Sequence, residues 1–287
     1  MTSWKGGSPM KQRLISAAVA LAVLAAVLFF ADTIVLNIAI ALLSATAVYE
    51  VLRAAGCMKP RAMGLLCIAA ALGIPFLSYD THAIMLTVAG FAYSFGMMVI
   101  LLVCFDTLRI EKLGFAFFIS MLVPVTLSII IYFRNKYGAE GTGLFYILLL
   151  FVGAFMTDTG AYIGGRLFGK RKLAPKISPN KTIGGAISGI VTCMISMPLF
   201  GLIYSAIRVG EGAPVAVDYL RIELIAPVVA LMAIAGDLSA SLIKRQCGVK
   251  DFGSIMPGHG GVMDRFDSVL FVAPLLLIYS HFLPLIH

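Results

Sequence analysis

Long apolar runs, each bounded by charge or by Gly and Pro, recur along the whole chain. They lie at about 14–31, 33–49, 62–78, 83–105, 113–133, 143–165, 183–204, 224–243 and 268–284. Each is close to the ~17–25 residues that a bilayer-crossing helix needs. The first two are separated by little more than Asp32 and Thr33. Fused, they would form one helix of about 50 Å, too long for a hydrocarbon core of about 30 Å. A break at Asp32 is therefore predicted, and with it about nine transmembrane helices. The first run has the outline of a signal peptide, with Lys11 and Arg13 ahead of it. Further spans follow at once, so it reads as an uncleaved anchor.

Composition agrees with the pattern. Of 287 residues, 60% are apolar and only 13% charged, against about 25% charged in a soluble domain. Too little polar surface exists to cover such a chain in water, which excludes a soluble enzyme, a disordered tail and a disulfide scaffold. The expected fold class is an all-α polytopic membrane protein. One integral domain is expected over 1–287, with N-terminal spans in 1–142 and the chemistry in 143–287. Cys57, Cys67, Cys104, Cys193 and Cys247 form no CxxC pair and read as packing residues.

The net charge of +8 is first a matter of topology, not of nucleic acid. With the N-terminus in the cytoplasm, nine spans place all but four of the 22 Lys and Arg residues in inner loops. The outer four are Arg134, Lys136, Arg208 and Arg221. Fusing the first two spans would move Lys5, Lys11 and Arg13 outside. The positive-inside rule thus favours nine spans with the C-terminus outside.

The polar residues concentrate in two stretches, 157–182 and 236–268, which hold 10 of the 22 basic and 5 of the 14 acidic residues. Their loops, 166–182 and 244–267, fall on the cytoplasmic side. Asp237 lies inside an apolar span, seven residues before Lys244. A carboxylate there is costly unless paired or metal-bound; helix packing against a Lys or Arg is the bland alternative. Asp264 and Asp267 are three apart and would share a helical face if the last span begins near them. Such a like-charged pair invites a divalent cation, and carboxylates without His or Cys suit Mg²⁺ better than zinc. Arg265, between the two acids, could be a salt-bridge partner and nothing more.

Lys244, Arg245 and Lys250 follow Asp237; Arg166, Lys170, Arg171, Lys172, Lys176 and Lys181 follow Asp158. Positive-inside charge accounts equally well for Lys170, Arg171 and Lys172. Lys181 stands in Ser178-Pro179-Asn180-Lys181-Thr182, directly before a span, where free helix amides and a Lys make a phosphate cradle. Pro257-Gly258-His259-Gly260-Gly261 lets backbone approach a ligand. His259 reads equally well as a general base or as a loop hydrogen-bonding residue. A phosphate monoester has a second pKa of about 6 and needs metal and positioning more than a base. An acidic cluster ringed by cations, between soluble phosphates and lipid headgroups, points to phosphoryl or nucleotidyl transfer to a membrane lipid. A transporter of phosphorylated solutes is the alternative from another class, but no repeat is visible and the charge lies at one face.

Ser241-Leu242-Ile243-Lys244-Arg245, Lys250-Asp251 and His259-Gly260-Gly261-Val262-Met263-Asp264-Arg265-Phe266-Asp267 closely resemble the C-terminal motif of phosphatidate cytidylyltransferases, the CDP-diacylglycerol synthases. Asp158-Thr159-Gly160-Ala161-Tyr162, Gly165-Arg166, Phe168-Gly169-Lys170 and Ser178-Pro179-Asn180-Lys181-Thr182 are similar to that family as well. The likeness is strong over the C-terminal half; the first five spans match only in character. Met256 stands where Ile, Leu or Phe is usual, and Ile183-Gly184 where an aromatic and a Glu are common.

The resemblance implies the reaction CTP + phosphatidate → CDP-diacylglycerol + pyrophosphate, with Mg²⁺ and with or without a second cation. It implies Asp237 and Asp264 as metal ligands, with Asp267 beside them as ligand or support. Lys244, Arg245 and Arg265 would hold the triphosphate or the lipid phosphate. Asp158, Asn180 and Lys181 would complete the nucleotide side, and Ser241, Lys250, Asp251, His259 and Gly260 fall in the same substrate-binding motif. The implied partners are CTP, phosphatidate in the bilayer and a second copy of the chain, in a bacterial inner membrane with the site facing the cytoplasm. A CTP-dependent kinase of polyprenol or phytol type is the close alternative.

Overall fold

The computed structural model describes residues 19, 22–77, 83–138, 141–255 and 260–286. Residues 14–18, 20 and 21 of the 14–31 run, together with Met256 and His259, lie outside the described residues. The rest is an all-α polytopic membrane fold carrying one small hairpin. Among the described residues seven helical segments are long and apolar enough to cross a bilayer: Ile34–Ala54, Ile84–Val103, Ile110–Tyr137, Gly143–Phe168, Ile183–Gly210, Tyr219–Gln246 and Met263–Phe282, the last interrupted by a turn at 267–268. Many large apolar side chains are exposed on them, among them Phe91 and Leu102, Ile195 and Leu202, as expected of helices that face lipid.

The break expected at Asp32 is present. Residues 22–29 are helical, 30–33 form a turn, and α1 (Ile34–Ala54) starts afresh. Thr33 makes the start: its hydroxyl accepts from the Val35 N–H at 3.2 Å, satisfying one of the free amides of the new helix. The 62–78 run is shorter than expected. It becomes α2 (Arg61–Gly73) and a 3₁₀ turn at Ile74–Phe76, about 24 Å of helix at 1.5 Å per residue. Pro75 sits in that turn, where its ring and missing N–H oppose continuation of the α-helix.

By its contacts the chain divides into two compact units, Met1–Val125 with Cys247–Arg265, and Thr126–Gln246 with Phe266–His287. The first contains α1, α2, α3 (Ala83–Val103) and residues 110–125 of α4 (Ile110–Tyr137). Its core is apolar: Val48, Val51 and Leu52 of α1, Met63 and Cys67 of α2, Met97 of α3, Ile119 and Val123 of α4. Polar ties are few. Asn37 donates to the Pro75 carbonyl at 2.8 Å, and the Tyr93 and Ser120 hydroxyls bond to each other.

The second unit is built on α5 (Gly143–Phe168), α6 (Ile183–Gly210), α7 (Tyr219–Gln246) and α9 (Val269–Phe282); the one-turn α8 (Met263–Phe266) precedes α9. Tyr146, at the start of α5, stacks on Tyr137 and Phe133 with centroids 4.4 and 5.3 Å away. Its hydroxyl accepts the Leu285 N–H at 3.0 Å. α5 and α6 approach closely because Gly160 and Gly164 face Ser188 and Thr192, where a Cβ would not fit.

Between α5 and α6 the expected loop 166–182 is partly an antiparallel hairpin, β1 (Lys172–Ala174) and β2 (Ser178–Thr182). β2 runs directly into α6, whose first amides are already used: Ile183 donates to the Arg171 carbonyl and Gly185 to the Thr182 hydroxyl, at 3.0 and 3.1 Å. The free helix amides expected beside Lys181 are thus largely satisfied at this start.

Candidate active site

In the second unit three carboxylates converge from three places in the chain. Asp158 lies ten residues before the end of α5, Asp237 nine before the end of α7, and Asp267 in the turn ahead of α9. Gly236 makes the convergence sterically feasible. A Cβ at that position would strike the Asp267 carbonyl and the Ser268 backbone, so the turn can close on α7 only over a glycine.

Ser268 then links two of the acids. Its N–H donates to Asp267 Oδ1 at 2.8 Å, and its hydroxyl donates to Asp158 Oδ2 at 2.9 Å. Asp267 is buried and lies within electrostatic reach of Asp237, Asp158 and Lys244. Asp237 is half-buried and pairs with Lys181, Nζ to Oδ2 at 2.5 Å. The Ser241 hydroxyl, one turn further along α7, donates to Asp237 Oδ1 at 3.4 Å. The pairing of Asp237 with a lysine is therefore real, and the lysine is the one expected on the nucleotide side.

Further candidates of this unit lie on or beside the hairpin. Arg245 is exposed and its Nε donates to the Ile177 carbonyl at 3.2 Å, tying the end of α7 to the hairpin turn. Asn180 and Lys172 are exposed on the strands. Gly184 occupies the position where a Glu is common in the family; a Cβ there would meet the Phe168 carbonyl, so the departure accompanies close packing of α6 on the end of α5.

In the first unit, Asp264 is held by backbone. Its Oδ2 accepts the N–H of Phe252 at 3.0 Å and of Gly261 at 2.9 Å. Gly260 has φ +86°, and a Cβ there would crowd the carboxylates of Asp264 and Asp251. Lys250 and Asp251 are exposed in the loop after α7, and Arg265 is exposed on α8. The helix containing Asp264 stops at Phe266, so Asp264 and Asp267 do not lie on one continuous helix as expected. Beside this loop is a residue the sequence reading overlooked. Glu50 of α1 is buried, and its Oε2 accepts the Met263 N–H at 3.0 Å.

The donors in the second-unit cluster are all oxygens, the chemistry that Mg²⁺ selects. Among the described residues no group of three His, Cys, Asp or Glu side chains is disposed to enclose a metal ion. Mg²⁺ commonly takes only one or two protein carboxylates and completes its shell with water and substrate phosphate. An open acidic cluster fits that habit. Burial pushes the Cys57 and Cys247 thiols above the usual range, which disfavours the thiolate at these two positions.

A model of the cytidylyltransferase family matches residues 11–283. The chain belongs to this family. Among curated relatives of this chain, the phosphatidate cytidylyltransferase of Staphylococcus haemolyticus (strain JCSC1435) is 47% identical over 150 residues, 51% of this chain and 53% of the relative. That of Bacillus subtilis (strain 168) is 38% identical over 171 residues, 60% and 59% of the two chains. That of Staphylococcus aureus (strain COL) is 44% identical over 146 residues, 51% and 53%. The chain thus spans about half the length of the curated relatives it matches.

Proposed function

We propose that this protein is a cytidylyltransferase that acts on phosphatidate, converting it with CTP to CDP-diacylglycerol and pyrophosphate. The observation that carries the reading is the convergence of Asp158 of α5, Asp237 of α7 and Asp267 of the turn before α9, with Lys181 bonded to Asp237, in a chain of this family. A phosphate oxygen of the lipid attacks the α-phosphorus of CTP. The bond from that phosphorus to the bridging oxygen of the β-phosphate breaks, and pyrophosphate leaves with the electron pair. The lipid phosphate, with a second pKa of about 6, is largely dianionic at neutral pH and needs no proton acceptor. The names of the curated relatives and the C-terminal motif support phosphatidate as the acceptor.

Asp237 and Asp267 would hold Mg²⁺, supported by Asp158 through Ser268. The assignment of Asp264 to the metal rests on the resemblance alone. When bound, Mg²⁺ neutralises charge on the α-phosphate and the departing pyrophosphate. Lys181 can exchange its carboxylate partner for a phosphate of CTP. Lys244 and Arg245 would reduce the repulsion between two anionic reactants, with Asn180 and Ser241 in substrate contact; substrate roles for Lys250, Asp251, His259, Gly260 and Arg265 rest on the resemblance alone. The charge asymmetry of the loops supports a cytoplasmic site in a bacterial inner membrane; a homodimer rests on the family resemblance.

The test uses CTP labelled on either the α- or the γ-phosphate, with purified protein, Mg²⁺ and phosphatidate, and a lipid alcohol in parallel. α-Label in the lipid with release of pyrophosphate is the expected result, and chelation of Mg²⁺ should abolish it. Transfer of γ-label to the alcohol would identify a lipid kinase instead. No transfer by folded protein would sink both readings and favour a transporter.

A further inference from the structure

Glu50 is an unusual residue to bury near the end of a membrane helix. It is 2% exposed and makes no ion pair among the described residues. One oxygen accepts the Met263 N–H across 213 positions of sequence. The other, Oε1, is buried without a hydrogen-bond partner among the described residues. A residue kept only for packing would be apolar here, because a desolvated carboxylate with an unsatisfied oxygen destabilises the fold.

The surroundings show what the carboxylate gathers. Gly253 and Gly261 both press against it, and a Cβ on either would fall within the space of the carboxylate. These glycines adjoin or form the sites that hold Asp264: the Phe252 and Gly261 N–H groups both donate to Asp264 Oδ2. Met263, bonded to Glu50, immediately precedes Asp264 at the start of α8. Two separated pieces of the loop, 252–253 and 261–263, are thus drawn onto one fixed side chain of α1, and Asp264 is oriented by the same two pieces. Loops are seldom rigid by themselves; a buried acceptor on a helix supplies the missing constraint.

We propose that Glu50 is a positioning residue of the transferase, fixing the 252–264 loop so that the Asp264 carboxylate is presented in one orientation. It touches no substrate and acts through Met263, Gly261 and Gly253. The inference rests on the cytidylyltransferase reading of the site, and it gives α1 a role in chemistry carried mainly by the C-terminal half of the chain.

The experiment compares wild type with Glu50→Leu and Glu50→Gln in the labelled-CTP assay, together with amide hydrogen exchange over residues 250–265. Wild type must first transfer α-label; if it does not, the functional reading fails and Glu50 is not at issue. With wild type active, Glu50→Leu should lower kcat about 100-fold and leave KM for CTP within about threefold. Amide protection should fall in 250–265 and persist in α1 and α5. Glu50→Gln keeps a carbonyl oxygen that can accept from Met263, and should restore kcat to within about tenfold of wild type. If Glu50→Leu does not fold, Gly261→Ala gives the same reading, since its added methyl displaces the carboxylate. Wild-type kcat with unchanged exchange in Glu50→Leu, or in Gly261→Ala where it is used, would overturn the proposal. So would a loss in Glu50→Leu that Glu50→Gln does not relieve.

Discussion

The family resemblance implies both Asp237 and Asp264 as metal ligands, yet they are held in opposite ways. Asp237 lies within a helix, where the backbone amides are already spent on the helix itself, and its restraint comes from side chains, Lys181 and Ser241. Asp264 lies at the first turn of a short helix and is restrained by main-chain N–H groups from Phe252 and Gly261. A side-chain cation can be drawn to another anion; main-chain donors move only if the loop moves. The difference separates a carboxylate whose partner substrate can displace from one whose orientation belongs to the fold.

The largest expected effect breaks the first carboxylate. Asp237→Asn removes the charge yet keeps the shape, and turnover in the labelled-CTP assay should fall at least about 1,000-fold in protein that remains folded in detergent. Asp264→Asn should cost as much activity, but with an added rise in amide exchange at Phe252 and Gly261, because the charged acceptor of both is weakened. Full activity in either variant would remove that acid from the site.

Lys181→Ala tests whether the cation is exchangeable. It should raise KM for CTP and lower kcat, together about 10–100-fold in kcat/KM. An unchanged kcat/KM would mean that Lys181 only neutralises Asp237 and meets no phosphate. Ser268→Ala loses the hydroxyl that joins the last span to Asp158 while retaining its backbone bond to Asp267. A loss of about tenfold is expected, measured at saturating CTP; a loss equal to that of Asp237→Asn would promote Ser268 to direct contact with substrate. Lys172→Ala, exposed on the hairpin, should change the rate less than about twofold, and a large loss there would move part of the triphosphate site onto β1.

Much of this arrangement was legible in the sequence. The helices follow the apolar runs because a bilayer imposes one length and one polarity on every span. Asp158, Asp237 and Lys181 stood out because each is a charge in or against such a run, and the structure brings Lys181 to Asp237 across unrelated segments. The hairpin was not legible: Lys172–Ala174 and Ser178–Thr182 are short, polar and interrupted by Pro179, without the alternation that marks a strand. Ser268 was hidden because a hydroxyl beside an acid resembles any helix start. Glu50 was hidden because it falls where the apolar run ends, three residues before Arg53, and so looks like an interfacial charge. Only the tertiary packing of Gly253 and Gly261 shows that it faces inward.

The pairing of Lys181 with Asp237 also has a consequence for how the chain is made. Synthesis runs from the N-terminus, so the hairpin lysine is complete before the ribosome reaches α7. An ionised aspartate within a nascent helix raises the free energy of entering the bilayer, by up to about 3 kcal/mol at the helix centre. Here the countercharge is waiting on an earlier segment, and α7 can be received with its acid neutralised on arrival. The order of the two residues along the chain thereby eases the birth of the protein.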